Sequence, residues 1–407
     1  MANLLFLVHR LPYPPNKGDK LRSFNLLKQL AARHRVFVGT FIDDPEDEVH
    51  VDSLRALCAG LQVVRLHPVR AKVASLSGLI DGQALTLRYY RDSSLRRWAE
   101  QTTRREHVDA AVVFSSSMAQ YAQGLGVPTL VDFVDIDSAK WAEYAPRHHW
   151  PLSWLYRREG RQLLAYERAV AAWATCSFFV TEKEVALFLR LAPECAGRVE
   201  AVGNGVDADH YAPQPGMPSP FQQGDLPIVF TGAMDYWPNA DAVTWFATEM
   251  LPRLRVTWPR ASFHIVGRNP TLAVRSLACD SVHVTGTVPD VRPYLQNAAV
   301  VVAPLRLARG IQNKVLEAMA MGRPVVAARA CTEALTAEVG AEVLAADDAE
   351  GFVREIDGLL RQPARATSIG AAGRARVLRD YSWRAHLASF ERHLEDLLAR
   401  RAGALAA

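Results

Sequence analysis

Short runs of β-branched and other apolar residues alternate along the chain with longer stretches whose apolar positions recur every three or four residues. The short runs predict strands and the longer stretches predict helices. In the first half the predicted strands cover residues 4–8, 36–41, 63–66, 110–114, 129–133, 177–180 and 199–202, with helices notably at 20–33 and 94–106. In the second half the predicted strands cover residues 228–230, 262–266, 282–284, 300–303, 325–327 and 342–344, with helices at 240–256, 291–296, 313–321 and 350–360. This alternation is typical of parallel α/β architecture.

The two halves of the pattern are similar, and residues 211–220 between them hold four prolines and a glycine, which indicates a linker. A chain of 407 residues is also too long for one ordinary core. We therefore expect two Rossmann-like, doubly wound parallel-sheet domains, at 1–208 and 209–383, facing each other across a cleft. A last amphipathic helix at 384–407 is expected to pack back on the first domain.

Composition narrows the class of protein. Apolar residues make up 49% and charged residues 22%, which excludes a disordered or fibrous chain. Because 47 basic residues are nearly balanced by 43 acidic ones, a nucleic-acid partner is not expected. The five cysteines are scattered and form no CxxC pair, so the sequence predicts neither a zinc site nor a disulfide framework and fits a reducing cytoplasm.

Targeting and membrane-spanning signals are weak. The apolar N-terminal run lacks a basic region before it and is short for a signal peptide. The longest uncharged apolar stretch, residues 169–181, is shorter than the roughly 20 residues that cross a membrane and reads as a helix end followed by a strand. We expect a cytoplasmic protein, with attachment at the inner face of the plasma membrane left open.

Two loops that follow a first strand carry a glycine where a ligand phosphate would approach the backbone. Gly18 lies between residues 9–17 and the first predicted helix, and Gly232 follows the first strand of the second half directly. A glycine before a helix N-terminus favours an anion, although a tight strand–helix turn explains each loop equally well. Neither loop is GxGxxG, so a dinucleotide site loses its main support.

Three charged residues of the second half stand at predicted strand ends or helix starts. Arg268 follows the strand at 262–266, where a guanidinium would grip a diphosphate, or would simply be solvated. Lys314 lies in the first turn of a helix, where the helix dipole disfavours a cation unless an anion binds nearby. Glu317 lies one turn further on, and an exposed ion pair with Lys314 is the simpler alternative.

The motifs then resemble those of GT-B fold glycosyltransferases of family 4 (group 1). The resemblance rests on residues 315–326 (Val315-Leu-Glu-Ala-Met-Ala-Met-Gly-Arg-Pro-Val-Val326), on 202–207 with its Asn204-Gly-Val-Asp207, and on four shorter segments at 14–22, 266–268, 286–288 and 381–383. More narrowly, residues 14–20, 132–138 and 308–319 are similar to the sugar transferases of bacterial exosortase and PEP-CTERM exopolysaccharide systems. The resemblance implies a hexosyltransferase of exopolysaccharide or cell-surface glycan synthesis.

The family's site residues transfer to matching positions of this chain. The resemblance implies that Glu317 binds the nucleotide ribose, that the loop of Gly286, Thr287 and Val288 meets the base, and that Gly232 and Gly18 face the diphosphate. It further implies a donor-binding segment before and at the helix start: Arg309, Gly310, Ile311, Gln312 and Asn313. Two positions depart from the family, since Arg309 stands where its first Glu is expected and Ser115 where its common His is expected. Both departures leave the identity of the donor open.

The implied chemistry is transfer from a nucleotide-diphosphate sugar to a glycan or lipid-linked acceptor, retaining in stereochemistry, with no metal and no cofactor beyond the donor substrate. Arg268 and Lys314 are the predicted catalytic cations, which would stabilise charge on the departing diphosphate. Asp135, spaced by three from Asp132, is the predicted group that orients or deprotonates the acceptor. The alternative is that these aspartates cap the helix near Ser138.

A membrane partner and rival functions stay open at this point. Six arginines in residues 88–105 and the basic and aromatic residues of 147–158 suit an anionic membrane surface, or a solvated helix face with core tryptophans. A GT-B nucleotide-sugar epimerase and a non-catalytic nucleotide-sugar-binding subunit are the alternatives to a transferase. A dehydrogenase is disfavoured.

Overall fold

The computed structural model describes residues 1–15, 18–308 and 311–406, which form two compact units. One unit consists of residues 1–204 with 386–407, and the other of residues 205–385. Arg309 and Gly310, two of the predicted donor-binding residues, lie outside the described residues.

The first unit is built on a seven-stranded, fully parallel sheet in the order β3-β2-β1-β4-β5-β6-β7. Its strands are β1 (Asn3–Val8), β2 (Arg35–Ile42), β3 (Gly60–Arg65), β4 (Ala110–Phe114), β5 (Thr129–Val134), β6 (Cys176–Phe179) and β7 (Val199–Ala201). The residues of β4 and β6 are buried throughout, as expected for strands that helices cover on both faces.

Helices connect these strands. They are α1 (Gly18–Ala31), α2 (Val51–Arg55), α3 (Pro68–Ser75), α4 (Gly78–Asp81), α5 (Leu85–Tyr89), α6 (Ser93–Arg105), α7 (Ala119–Ala122), α8 (Asp137–Tyr144), α9 (Leu152–Trp173) and α10 (Glu182–Leu191). Aromatic stacking of Phe133 on Phe179, with ring centroids 5.1 Å apart, is part of the core beneath them.

The second unit repeats this plan with a six-stranded parallel sheet in the order β10-β9-β8-β11-β12-β13. Its strands are β8 (Leu226–Thr231), β9 (Ala261–Val266), β10 (Val282–Gly286), β11 (Val300–Ala303), β12 (Val325–Ala328) and β13 (Leu344–Ala346). The prediction of two doubly wound parallel-sheet domains is therefore confirmed.

The helices of the second unit are α11 (Trp237–Trp245), α12 (Leu251–Thr257), α13 (Leu272–Arg275), α14 (Arg292–Asn297), α15 (Asn313–Ala320), α16 (Arg329–Thr332), α17 (Ala349–Arg361) and α18 (Pro363–Arg376). A π-helical turn, Phe246–Met250, joins α11 to α12. A final helix, α19 (Trp383–Ala406), begins in the second unit and continues in the first.

The proline-rich segment at 211–220 belongs to the second unit rather than separating the two. Its backbone is held there because Gln214 donates to the Gln296 side chain of α14 at 2.8 Å and accepts from it at 2.7 Å. Of the helices in the described residues, none is long and apolar enough to cross a membrane.

Candidate functional site

Both sheets have a point where the strand order reverses, and the loops that begin there are the natural ligand sites of a parallel sheet. In the second unit the chain runs outward from β8 to one edge and from β11 to the other. The loop at 232–236 follows β8, and the segment leading to α15 follows β11. The predicted residues Gly232 and Lys314 lie on these two connections.

Backbone hydrogen bonds made by glycines connect the loops that follow β8, β9 and β10. The Gly232 amide donates to the Val266 carbonyl at 3.0 Å, and the Gly267 amide donates to the Gly286 carbonyl at 3.2 Å. A Cβ on Gly267 would lie 1.7 Å from the carbonyl oxygen of Gly232, a contact that no side chain tolerates. Gly267 therefore has to be glycine, and it sets the spacing between the two predicted phosphate- and base-facing loops.

Lys314 reaches across to the loop that follows β8. Its Nζ donates to Oδ1 of Asn239 at 2.5 Å and lies 4.4 Å from the centre of the Phe230 ring. A Cβ on Gly232 would be 3.3 Å from the same Nζ. The structure thus brings together Gly232 and Lys314, as the sequence predicts, and adds Asn239, which also donates to the carbonyl of Ala233 at 2.9 Å.

The side-chain ammonium group of Lys314 is buried and therefore poorly solvated. Burial lowers the pKa of Lys314 from 10.5 to about 8. No carboxylate of the described residues forms an ion pair with it, although Glu317 lies close enough to act on it electrostatically. An anionic ligand at Gly232 would supply the missing countercharge.

Glu317 lies on the following turn of α15 and binds the hydroxyl of Tyr211, which donates to its carboxylate. Burial raises the pKa of Glu317, and the nearby Lys314 cation acts in the opposite direction. Burial and the neighbouring Glu317 charge likewise raise the pKa of Tyr211. A carboxylate with one hydroxyl partner keeps acceptor capacity for the vicinal hydroxyls of a ribose.

Arg268 extends from the carboxyl end of β9 and is exposed. Its backbone carbonyl accepts from the Met234 amide at 2.8 Å, which fixes its position beside the loop after β8. Within the described parts of the chain its side chain makes no hydrogen bond or ion pair. Arg268 is therefore available to a ligand, although nothing in the structure orients its guanidinium.

A cavity of about 440 Å³ lies where the base-binding loop was predicted. Gly286 and Thr287 line it, together with Asn269, Pro270 and Arg275 from the connection after β9. Val288 instead packs half-buried against the core. The cavity is open and polar, with room for a nucleobase.

The start of α15 carries the rest of the predicted donor segment. Ile311 is half-buried against the core, Gln312 precedes the helix, and exposed Asn313 begins it. The first amides of an α-helix have no partner inside the helix and face outward toward an anion.

Asp135 and Asp132, predicted together from their spacing, have different surroundings. Asp132 accepts from Arg22 at 2.7 Å in a pair whose side chains are both about 1% exposed. Asp135 is paired with Lys140 at 2.9 Å on the surface. The expectation that Asp135 acts on the acceptor stays a prediction.

The alternative role of these aspartates, capping the next helix, is wrong. Ile136 precedes α8, and its amide donates to Glu184 at 2.8 Å. The amide of Ser138 donates to Glu167 at 3.2 Å. Carboxylates from two neighbouring helices therefore bind the start of α8, and burial raises the pKa of Glu167 to about 8.

The reversal point of the first unit lies between β1 and β4, and a cavity of about 600 Å³ opens there. His9 follows β1, Ser115 and Ser117 follow β4, and Asp137 follows β5; all four line the cavity. Most of the remaining lining residues are aromatic and apolar side chains of α5, α8 and α9, joined by Lys72 and Ser75 of α3 and by Leu76 directly after it. Sequence reasoning did not predict this cavity.

His9 contributes an imidazole ring to the wall of this cavity. Its ring stacks on Phe114 with centroids 5.9 Å apart, and its Nε2 lies 3.6 Å from Oδ2 of Asp19. Its Nδ1 is buried and has no hydrogen-bond partner among the described residues. His9 thus stands next to the end of β4, where Ser115 lies at the position at which a histidine was expected, and its place directly after the first strand was the available signal.

Three cations near Gly18 in the first unit are paired with carboxylates. Gly18 begins α1, but Lys20 is buried against Asp47 at 2.6 Å and Arg22 is buried against Asp132. Arg10 is engaged by Asp43 at 2.7 Å and Asp19 at 2.8 Å. These three cations form ion pairs with carboxylates of the same unit, so they stabilise the first unit rather than being available to bind a phosphate.

One group of metal-ligand side chains occurs among the described residues, at Cys176, Glu200 and His393, whose ligand atoms lie within 4.8 Å of one another. His393 and Glu200 bind each other at 2.9 Å. Burial and the Glu200 charge raise the pKa of Cys176 to about 12, which disfavours the thiolate that a metal needs. The group is a hydrogen-bonded pair beside a neutral thiol, and it lies on β6, β7 and α19 rather than on β1 and β4, which flank the reversal point of the first sheet.

Residues 226–362, within the second unit, match the family model of glycosyl transferases group 1. The GDP-mannose-dependent alpha-(1-6)-phosphatidylinositol monomannoside mannosyltransferase of Mycolicibacterium smegmatis is 30% identical over 224 residues, which is 50% of this chain and 56% of that protein. The chain thus spans about half the length of this curated relative.

Solved structures resemble nearly the whole chain. Anabaena HepE in complex with UDP superposes with a TM-score of 0.63 at 16% identity, covering 97% of this chain and all of that one. Sucrose-phosphate synthase from Thermosynechococcus elongatus gives 0.64 at 18% identity, covering 98% and 100%. A glycosyltransferase from Rickettsia africae gives 0.65 at 12%, covering 98% and 99%. These likenesses show the fold, and the predicted GT-B fold is confirmed.

Proposed function

We propose that the protein is a group 1 glycosyltransferase that moves a sugar from a nucleotide-diphosphate donor to a glycan or lipid-linked acceptor. The observation that carries this proposal is the meeting of Lys314, Asn239 and the Gly232 loop at the reversal point of the second sheet. The match of residues 226–362 to group 1 glycosyl transferases covers the same place. HepE, of similar fold, is described in complex with UDP, which supports a nucleotide at this kind of site.

The second unit is proposed to hold the donor by its diphosphate. Lys314, Arg268 and the first amides of α15 would neutralise the two phosphates, while Glu317 binds the ribose and the cavity at Gly286 and Thr287 receives the base. Lys314 is held by Asn239 and the amides are held by the helix before the reaction, so they stabilise charge as it grows on the leaving group without reorganising, whereas the exposed Arg268 would be oriented by the diphosphate itself.

The transfer breaks the bond between the anomeric carbon and the diphosphate oxygen and forms a bond to an acceptor oxygen. The acceptor's proton leaves with the diphosphate or is taken up by a carboxylate such as Asp135. We propose a retaining and metal-independent reaction, a hexosyl donor and a place in exopolysaccharide synthesis of the PEP-CTERM type, all on the sequence resemblance. We assign acceptor binding to the first unit. The walls of its cavity at His9 carry three charged residues, Asp137, Glu159 and Lys72.

The test is a thermal-shift and calorimetry panel of UDP-, GDP- and TDP-sugars on the wild-type protein and on Lys314→Ala. One nucleotide family should raise the melting temperature of the wild type, and the variant should bind that nucleotide more weakly. Binding with release of an epimer would favour the epimerase, and binding without transfer to any saccharide acceptor would favour the binding subunit. If the wild-type protein bound none of the UDP-, GDP- and TDP-sugars, the proposal would be contradicted.

A further inference from the structure

Two consecutive aromatic side chains of the second unit are exposed. Tyr236 is 62% exposed and Trp237 is 61% exposed, and they stand where the connection after β8 enters α11. The other tryptophans of this unit are buried or half-buried: Trp245, Trp258 and Trp383. Large apolar groups that are exposed side by side at a loop are typical of a binding surface. We call Tyr236 and Trp237 the aromatic pair.

The packing of α11 does not account for the aromatic pair. The buried residues of this helix are Asn239, Ala242 and Val243, whose spacing of three and four residues forms the side that faces the core. Trp237 lies outside that spacing, and Tyr236 precedes the first turn of the helix. The pair therefore contributes an exposed surface rather than a part of the core.

Hydrogen bonds hold the aromatic pair beside the proposed diphosphate site. The carbonyl of Tyr236 accepts from the Asn239 amide at 2.9 Å, and Oδ1 of Asn239 accepts from Nζ of Lys314 at 2.5 Å. One residue thus connects the aromatic pair to the cation that is proposed to bind the diphosphate. In a nucleotide-diphosphate sugar the sugar ring is bonded directly to the second phosphate, so it lies next to the group that binds the diphosphate.

A carboxylate stands directly before the aromatic pair. Asp235 is exposed, and its Oδ2 accepts from Nδ2 of Asn269 at 3.0 Å, which joins the loops after β8 and β9. Because a carboxylate has about four acceptor positions, it keeps capacity for further hydroxyl groups. Aromatic rings pack against the C–H face of a pyranose, and a carboxylate accepts from its hydroxyls. Asp235 and the aromatic pair together supply both kinds of group.

The connection after β11 borders the same side of α11. Trp237 and Asp241 are spaced by four residues and so lie on one side of the helix. Asp241 accepts from Nε of Arg306 at 2.9 Å, and the next residue, Leu307, is 61% exposed. The exposed apolar surface therefore involves both connections that begin at the reversal point of the second sheet.

We propose that the aromatic pair binds the sugar ring of the donor by stacking, and that Asp235 selects a neutral sugar over a uronate. The inference rests on the proposed function and adds to it the class of donor sugar. A uronate carries a carboxylate of its own, which Asp235 repels, whereas the hydroxyls of a neutral hexose donate to Asp235. The ring's apolar face packs on Trp237 and Tyr236 while Lys314 binds the phosphate to which the ring is bonded.

The stacking test is calorimetry without acceptor, with UDP against UDP-glucose and GDP against GDP-mannose. Trp237→Ala should weaken binding of the nucleotide sugar by about tenfold and leave binding of the nucleoside diphosphate unchanged, because only the sugar contacts the ring. Trp237→Phe should restore most of the affinity. Trp237→Leu should not restore it, because an aliphatic side chain fills space without a flat face. All three variants change an exposed side chain and should keep the melting temperature of the wild type.

Trp150→Ala is the matched control, since that tryptophan is 81% exposed on the first unit. It should bind the nucleotide sugar like the wild type. Unchanged binding of the nucleotide sugar in Trp237→Ala would overturn the stacking proposal, even with a raised KM for the acceptor. An equal loss for the nucleoside diphosphate would assign Trp237 to the base or to the loop, and full rescue by leucine would exclude stacking.

The selectivity of Asp235 is tested with UDP-glucuronate against UDP-glucose and with GDP-mannuronate against GDP-mannose. The wild type should prefer the neutral sugar, and Asp235→Asn should reduce this preference by about fivefold, because the repulsion is removed while the amide still binds hydroxyls. Asp280→Asn is the control, because Asp280 is exposed and precedes β10, at the opposite edge of the sheet. An unchanged preference in Asp235→Asn would overturn the role of Asp235.

Failure of the proposed function would have a different signature. The wild type would then bind neither the nucleoside diphosphates nor their sugars, and the role of the aromatic pair would be overturned with it. If the wild type binds and transfers while the variants at Trp237 and Asp235 behave like it, only the assignment of the aromatic pair and Asp235 is wrong.

Discussion

The two units share a topology and differ in what they do with charge at the reversal point of the sheet. In the first unit Lys20 and Arg22 are buried against Asp47 and Asp132, so these cations hold the unit together. In the second unit Lys314 has an amide partner, Asn239, and burial lowers its pKa. One reversal point is left with an imidazole and hydroxyls, and the other with a cation and glycine backbones.

We propose that this difference assigns the two substrates, with the donor in the second unit and the acceptor in the first. Backbone amides beside an uncompensated cation favour a diphosphate, which supplies the countercharge. A cavity walled by aromatic rings and hydroxyls favours a sugar ring, whose apolar faces stack and whose hydroxyls bind. Two similar sheets can thus divide donor and acceptor between them through the pairing of a few side chains.

The largest effect is expected from Lys314→Ala. Loss of the cation should lower kcat by about 10² to 10³, more than it weakens nucleotide binding, because its charge is needed most when the diphosphate departs. Steady-state transfer kinetics and calorimetry with the nucleotide measure the two effects. Arg329→Ala is the control, since that arginine is exposed and paired with Asp347. Unchanged kcat in Lys314→Ala would refute its role.

The second-largest effect is expected from Gly267→Ala. The added Cβ would meet the carbonyl oxygen of Gly232 at 1.7 Å and push the loops after β8 and β9 apart. We expect nucleotide affinity to fall on the order of a hundredfold, since displaced groups lose their alignment, and stability to fall by about 1 to 3 kcal/mol.

Gly358→Ala is the matched control for that variant. Its Cβ would meet only the end of the flexible Arg365 side chain, at 3.3 Å. It should keep nucleotide affinity and thermal stability. Tight nucleotide binding by Gly267→Ala would show that the spacing of the glycine loops does not form the donor site.

His9→Ala probes the other reversal point. Removing the imidazole should lower kcat/KM for the acceptor by about tenfold or more, with nucleotide affinity unchanged. Varying the acceptor at saturating donor measures the first quantity and calorimetry the second. His393→Ala removes an imidazole elsewhere in the same unit and should leave both unchanged. A loss of nucleotide affinity in His9→Ala would break the division of substrates between the units.

The smallest predicted effect is a pH dependence of nucleotide binding. Because burial lowers the pKa of Lys314 to about 8, the protonated fraction in the free protein falls as pH rises from 7 to 9. An anion prefers the protonated form, so the dissociation constant should rise by up to about tenfold over this range. Lys314→Arg stays protonated throughout and should abolish this dependence; the same rise in that variant would assign it to another group.

Much of the fold follows from the sequence because the strands are nearly continuous apolar runs between helical segments. Gly232 and Lys314 could also be placed together, since both follow central strands of a parallel sheet. Asn239 and Tyr211 could not be placed in the site from the sequence, because their roles depend on contacts with Lys314 and Glu317 that only the packing of the folded chain creates.

The unpredicted parts of the first unit have equally physical reasons. Asp132 and Asp135 stand three residues apart after β5, but a residue with φ of +70°, Val134, separates them and turns them to different partners. Residues 69–80 have a helical apolar pattern that is typical of a core, and only the structure reveals that Val69, Val73 and Ile80 are exposed. Sequence patterns report which residues are apolar and leave open what covers them.

The most direct test of the account is hydrogen–deuterium exchange of the wild-type protein with and without the nucleoside diphosphate that gives the largest thermal shift. The account predicts slower exchange in the second unit at residues 232–236, 266–269, 286–288 and 311–317, with residues 9–11 and 115–118 of the first unit unchanged. Protection confined to the first unit, with exchange at the Gly232 loop and the start of α15 unaltered, would contradict it.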